Sequence, residues 1–178
     1  LLAARGMEVT ALDRNPELLA PLAGPKVTTL QHDLETDNAA WPFEPGRFSL
    51  IVVTNYLYRP LFPQLAASLR PDGMLIYETF AQGNQIYGKP SNPDFLLAPE
   101  ELLGLAREKG LQVLAYEDGH VDRPHPAQVQ RLCAAGPGFA MHAIHRKEQP
   151  PGPAGRWFVQ QLRRDQGGGP GGSGEGVL

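Results

Sequence analysis

The sequence predicts a doubly wound, mostly parallel α/β sheet that closes on an antiparallel strand pair. Three observations lead there. Short β-rich runs alternate with helical patterns through most of the chain, the order that builds a parallel sheet with helices on its faces. One run, Phe48–Val53 (FSLIVV), is almost continuously apolar, as in a strand covered on both sides. The last two runs follow each other without a crossover helix, which makes them antiparallel neighbours.

Leu1-Leu2-Ala3-Ala4-Arg5-Gly6 reads as the last turn of a helix already under way, with Gly6 as its C-terminal glycine. Met7–Asp13 (MEVTALD) is the first strand. Asn15-Pro16-Glu17 starts a helix well, with Asn as the cap, Pro at the first position and an acid in the first turn; that helix ends near Gly24. Lys26–His32 (KVTTLQH) is the second strand, closed by Asp33, and a loop holding Trp41 and Pro42 leads to the third, Phe48–Val53. Arg59–Leu69 carries Leu61, Leu65 and Leu69 at helical spacing. Pro71-Asp72-Gly73 reads as a tight turn and Met74–Thr79 (MLIYET) as the next strand. Ala81–Ala98 is rich in Gly, Asn and Pro, and a connection of that length points to a lid or binding loop. Pro99-Glu100-Glu101 opens a helix running to Lys109-Gly110. Leu111–Tyr116 and Gln128–Ala134 form the closing pair, with the polar stretch Asp118–Pro126 between them.

The chain has 178 residues, 42% of them hydrophobic, which suits one domain of residues 1–148 with a sizeable core. Residues 149–178 turn to Pro-Pro-Gly-Pro and a glycine run and read as a disordered tail, too poor in apolar surface to offset its ordering entropy. A net charge of −3 gives no basis for a nucleic-acid or anionic-membrane partner, and no apolar run reaches the roughly 20 residues of a membrane span. A single cysteine, Cys133, excludes an internal disulfide. Together with the lack of a secretory signal, it makes the cytoplasm the expected location.

In a doubly wound sheet the ligand crevice lies beyond the carboxyl ends of the strands. Those ends carry Asp13, Asp33, Asn55-Tyr56 and Glu78-Thr79, so four strands deliver polar groups to one edge. A carboxylate at such a position can accept hydrogen bonds from both hydroxyls of a ribose. Taken alone, Asp13 serves equally well as the start of the turn into Asn15-Pro16.

The segment VTALDRNPELL resembles the second strand and following helix of class I S-adenosylmethionine-dependent methyltransferases, which have a Rossmann-like sheet. LQHDLE resembles their third strand, FSLIVVTNYLYRPLF the fourth strand and the motif after it, and LRPDGMLIYETF the approach to the fifth. The closing antiparallel pair is also a mark of that family. ETFAQGNQIYGKPSNPDFLLAPEEL is further similar to small bacterial members related to the tellurite-resistance methyltransferases. The resemblance covers about Leu1 to Ala135. It implies S-adenosyl-L-methionine as cofactor, Asp13 on the ribose hydroxyls, and Asp33 with the Leu34 backbone at the adenine. Asn55 and Tyr56 would then lie near the methionine part, and methyl transfer would go by direct displacement to a small-molecule acceptor. Tyr56 and Glu78 are the candidates for orienting that acceptor or taking its proton, and Tyr58 reads as packing beneath the lid. The family's first strand and glycine-rich loop are expected before Leu1 and are missing from this sequence. The gap falls at the centre of the sheet, between the strands ending in Asp13 and Asn55. It leaves edges that call for pairing, including self-association into a homo-oligomer.

Other signals point less far. His142 and His145, and His120 and His125, lack the partners of a zinc site and read as solvated loop histidines, so no metal is expected. Cys133 reads as a buried structural thiol. Two alternatives stay open. One is a non-catalytic remnant of the fold acting through a protein partner; the other is a nicotinamide-dependent oxidoreductase, for which no Tyr-x-x-x-Lys constellation is present.

Overall fold

A computed structural model describes residues 2–36 and 41–140, and the backbone of 156–161. Among these residues seven strands form one sheet: β1 (Glu8–Asp13), β2 (Val27–Gln31), β3 (Phe48–Thr54), β4 (Leu69–Phe80), β5 (Gln112–Val121), β6 (Ala127–Ala135) and β7 (Arg156–Gln161), in the spatial order β2-β1-β7-β3-β4-β6-β5. The pairs β2–β1, β1–β7, β7–β3 and β3–β4 are parallel, whereas β4–β6 and β6–β5 are antiparallel. The expected architecture is therefore present, including the antiparallel close.

Helices α1 (Pro16–Leu19), α2 (Phe62–Ser68) and α3 (Glu101–Glu108) lie in the connections. Asn15 caps α1 by accepting from the Glu17 N–H at 2.9 Å, with Pro16 at the first helical position. Leu2–Gly6 forms a 3-10 turn closed by Gly6 at φ 87°, a left-handed conformation that glycine adopts without a Cβ clash. One main core lies on the sheet face shared by Leu12, Ile51, Val53, Leu75, Tyr77 and Leu132. It is covered by Leu61, Leu65, Leu102 and Leu105. On the other face Ile76 stays 38% exposed.

Three expectations need correction. Pro71-Asp72-Gly73 is no turn but part of β4, which starts at Leu69 paired with Phe48. The ladder shifts register between Phe48 and Leu50, and Gly73 lies so near the Phe48 carbonyl that a Cβ there would meet it at 3.0 Å. The polar stretch Asp118–Pro126 begins as strand, because β5 runs on to Val121 and pairs with β6 back to Ala127. Most consequentially, β7 lies inside the segment read as a tail and occupies the central gap. Two facing strand edges offer it backbone partners on both sides, and Trp157, Phe158 and Val159 are residue types that favour strands.

The connection after β4 is ordered by internal polar contacts. Asn84, 2% exposed, donates to the Pro90 carbonyl and accepts from the Gln128 N–H. Gln130, fully buried, donates to the Ala98 carbonyl at 2.6 Å and accepts from the Leu102 N–H. Both side chains satisfy backbone groups that would otherwise be stranded without water.

Candidate functional site

Parallel pairing brings the carboxyl ends of β2, β1, β7, β3 and β4 to one edge. Asp13 stands opposite Gln31, and Thr54 opposite both Gln161 and Glu78. Backbone bonds continue this alignment past the strands. The His32 N–H donates to the Asp13 carbonyl at 3.0 Å, and the Asn55 N–H donates to the Glu78 carbonyl at 2.9 Å. Asp13, Asp33 and Asn55 therefore share one side of the molecule.

Asp13 is 2% exposed and shares its sheet face with Val9 and Ala11 by strand alternation. Its Oδ1 accepts from the Asn15 N–H at 2.8 Å, while its Oδ2 is buried without a hydrogen-bond partner. Burial raises its pKa above the ordinary carboxylate value, against the opposing pull of the Asn15 N–H and Arg14. A buried acceptor left unpaired costs about 1–3 kcal/mol, so this oxygen has unused capacity to accept a hydrogen bond.

Asp33 is half-buried, and its Oδ1 accepts from the Glu35 N–H at 2.9 Å, which shapes the turn after β2; the neighbouring Leu34 side chain is buried in the core. Asn55 is exposed at φ 54°, a left-handed conformation in which Asn is among the best-tolerated residues after glycine. That turn sends the chain from β3 back beneath the edge. Tyr56 follows and is buried in the core rather than open at the edge. Its hydroxyl has no partner in good hydrogen-bond geometry. Burial first, then the Glu35 carboxylate, push its pKa far above the ordinary phenol range. That shift favours the protonated phenol, a hydrogen-bond donor.

Glu78 is engaged. Arg131 of β6 donates to it at 2.5 Å and to Glu117 of β5 at 3.1 Å, across strands whose register aligns Thr54, Glu78, Arg131 and Glu117 in one row. The guanidinium fixes the position of this carboxylate at the edge. Cys133 is partly exposed on the sheet rather than buried, and burial of part of its surface raises its thiol pKa. Among the described residues no group of three or more His, Cys, Asp or Glu is placed to hold a metal ion. His120 pairs with Asp122, and His142 and His145 lie outside the described residues. No helix of the described residues is long and apolar enough to cross a membrane.

Sequence reasoning missed the residues that fix this edge from behind. Arg59 donates to both carboxylate oxygens of Glu101, at 2.7 and 2.9 Å, and to the carbonyls of Asp94 and Leu96. The Glu101 carboxylate in turn accepts from the Ala98 N–H, so one ion pair ties the segment after β3 to the end of the 81–98 loop and to α3. No motif marks such pairs. The alternation of MLIYET does place Tyr77 on the core face, where its hydroxyl needs a partner.

No protein-family model and no curated protein matches the sequence. Solved structures do match the fold. A S-adenosylmethionine-dependent methyltransferase from Methanosarcina mazei aligns with a TM-score of 0.57 and 12% identity over 76% of this chain and 84% of its own. The 1,6-didemethyltoxoflavin-N1-methyltransferase of Burkholderia thailandensis, solved with its substrate and S-adenosylhomocysteine, aligns at 0.53 with 21% identity over 75% of this chain and 63% of its own. The cyclase SpnF aligns at 0.53 with 14% identity, over 76% and 70%. This chain shares the fold of the S-adenosylmethionine-dependent methyltransferases.

Proposed function

We propose that this chain binds S-adenosyl-L-methionine at the carboxyl edge of its sheet and transfers the methyl group to a small-molecule acceptor. The observation that carries the reading is Asp13 Oδ2, a buried and unpartnered carboxylate oxygen ending the strand beside the sheet centre. A ribose diol supplies the donors that this carboxylate lacks. Asp33 and the Leu34 backbone border the same edge as adenine contacts, and exposed Asn55 faces the region of the methionine part. The cofactor supplies an electrophilic methyl group on a sulfonium. What the chain's residues contribute is alignment and exclusion of water, and neither needs a protein nucleophile. Tyr56, protonated and buried, serves as a fixed donor; Glu78, paired with Arg131, serves as a positioning anchor. Because the same fold appears in a cyclase, the fold alone does not assign the chemistry.

Isothermal calorimetry tests the reading with S-adenosylhomocysteine and NAD as titrants. Binding of S-adenosylhomocysteine that weakens at least about tenfold in Asp13→Ala supports it, in line with loss of a charge-assisted bond pair. Preference for NAD turns the assignment to the oxidoreductase class. Binding of neither leaves the non-catalytic reading standing.

A further inference from the structure

We propose that the groove between β1 and β3 is a strand-docking site, that Arg156–Gln161 of the same chain is its occupant, and that cofactor binding at the carboxyl edge is conditional on that docking. The last clause rests on the proposed function; the first two do not.

The groove has backbone donors and acceptors on both walls. β7 uses both, in parallel register: Glu8 to Ala11 stand opposite Arg156 to Val159, and Leu50 to Thr54 opposite Trp157 to Gln161. Among the described residues no other strand joins the two parts of the sheet, since β1 pairs with β2 and β7, and β3 with β4 and β7. The main-chain link between the strand carrying Asp13 and the strand leading to Asn55 thus runs through β7, beside the core that Leu12 and Leu34 share with Ile51, Val53 and Tyr56. Two interstrand spacings, about 10 Å, separate those walls, and a sheet held that way keeps its edge geometry only while the middle strand is present.

The route of the chain fits an intramolecular occupant. β6 runs antiparallel to β4 and ends at Ala135, opposite Met74, at the amino edge where β7 begins. The two points are three interstrand spacings apart, about 14 Å, and residues 136–155 joining them have several times that reach. The described start of this connection stays on β4. The Gly136 N–H donates to the Gly73 carbonyl and the Gly138 N–H to the Pro71 carbonyl, laying the chain along the start of β4 next to β3. The close approach requires glycine: a Cβ on Gly136 would stand 2.3 Å from the Pro71 oxygen.

The docking is strand addition between two edges, in which main-chain bonds supply the affinity. Hydrogen exchange on the unaltered full chain gives the first test. Amides of Trp157–Gln160 are expected to be protected to the same degree as those of Val9–Leu12 and Leu50–Val53; free exchange in Trp157–Gln160 overturns the proposal. The second test is Val159→Pro in the full chain, which removes a ladder donor from the middle of the strand. Protection in β1 and β3 and affinity for S-adenosylhomocysteine should each fall at least about tenfold, with both restored by excess peptide of residues 154–163. Unchanged affinity in Val159→Pro, or loss that the peptide does not reverse, sinks the conditional link. If protection follows the strand as expected while no form of the chain binds S-adenosylhomocysteine, the docking stands and the proposed function fails.

Discussion

The Tyr77 hydroxyl, wholly inside the core, donates a 2.8 Å hydrogen bond to the carbonyl oxygen of Tyr56, and together with the Asn55 N–H bond to the Glu78 carbonyl it holds the backbone of the segment that leaves β3. Tyr77 stands opposite Val53 in the β3–β4 ladder, so the bond reaches diagonally from the sheet to the turn beyond its edge. Burial drives its phenol pKa well above the ordinary range, which keeps the donor proton in place at any working pH. Tyr77→Phe leaves the Tyr56 carbonyl buried without this donor. The expected loss is about 1–3 kcal/mol in urea unfolding, and binding of S-adenosylhomocysteine should weaken as the Asn55–Tyr56 backbone loosens. A Phe variant of unchanged stability and affinity would show that the turn is held by its packing alone.

Asp13 sets function against stability. Burial raises its pKa in the folded state, so over the interval from the unfolded value of 3.8 up to the folded one the native protein binds more protons than the unfolded chain. Stability therefore falls as pH rises through that interval, and the deficit persists at neutral pH. Asp13→Asn removes this titration. The variant should be at least as stable as the parent at pH 7 and show a flatter stability profile between pH 4 and 7, while binding S-adenosylhomocysteine more weakly. A variant clearly less stable at pH 7 would mean that the ionised carboxylate is a structural asset, not a ligand group.

What the sequence made legible was whatever its local pattern encodes. The run FSLIVV, the Asn15-Pro16-Glu17 helix start and Asp13 at the end of its strand carry a local physical signature, and each reappears at the expected place, whereas Tyr56 turns into the core. Tertiary choices left no such trace. Pro71-Asp72-Gly73 has the composition of a turn, yet the pairing of Leu69 with Phe48 holds it extended. RWFVQQ sits among prolines and glycines, and its strand character is realised through two edges more than a hundred residues away in sequence, at β1 and β3. The candidate site divides the same way. Asp13, Asp33 and Asn55 follow from strand ends, whereas the commitment of Glu78 to Arg131 depends on a register that no periodicity shows.

Arg59 donates two hydrogen bonds to carbonyls of the 81–98 loop and two to Glu101 of α3, but its side chain is 42% exposed against 20% for Glu101, so solvent screening keeps the ion pair modest. Arg59→Lys loses the planar fork that meets both carboxylate oxygens and two carbonyls. About 1 kcal/mol of stability is expected to go, with faster hydrogen exchange at the Ala98 N–H than at core amides of β4. A double-mutant cycle with Glu101→Gln isolates the pair; a coupling near zero would assign the loop's order to Asn84 and Gln130 instead.

Two glycines with opposite surroundings give the sharpest prediction about packing. Gly104 lies within α3 and an added Cβ there meets nothing within 4 Å, so Gly104→Ala should stabilise the protein by roughly 0.5–1 kcal/mol through helix propensity and reduced freedom of the unfolded chain. Gly136 lies where the chain leaves β6, and an added Cβ would fall 2.3 Å from the Pro71 carbonyl oxygen and 2.8 Å from that of Arg70. Both contacts are with backbone, which cannot swing aside as a side chain can. Gly136→Ala must therefore push the exit of β6 away from β4, breaking the Gly136 N–H bond to the Gly73 carbonyl; a loss of about 2–4 kcal/mol is expected. Protection of the β4 and β6 amides should fall along with global stability. Thermal unfolding of the two variants side by side checks the signs, and a Gly136→Ala protein as stable as the parent would mean that the chain leaves β6 by another path.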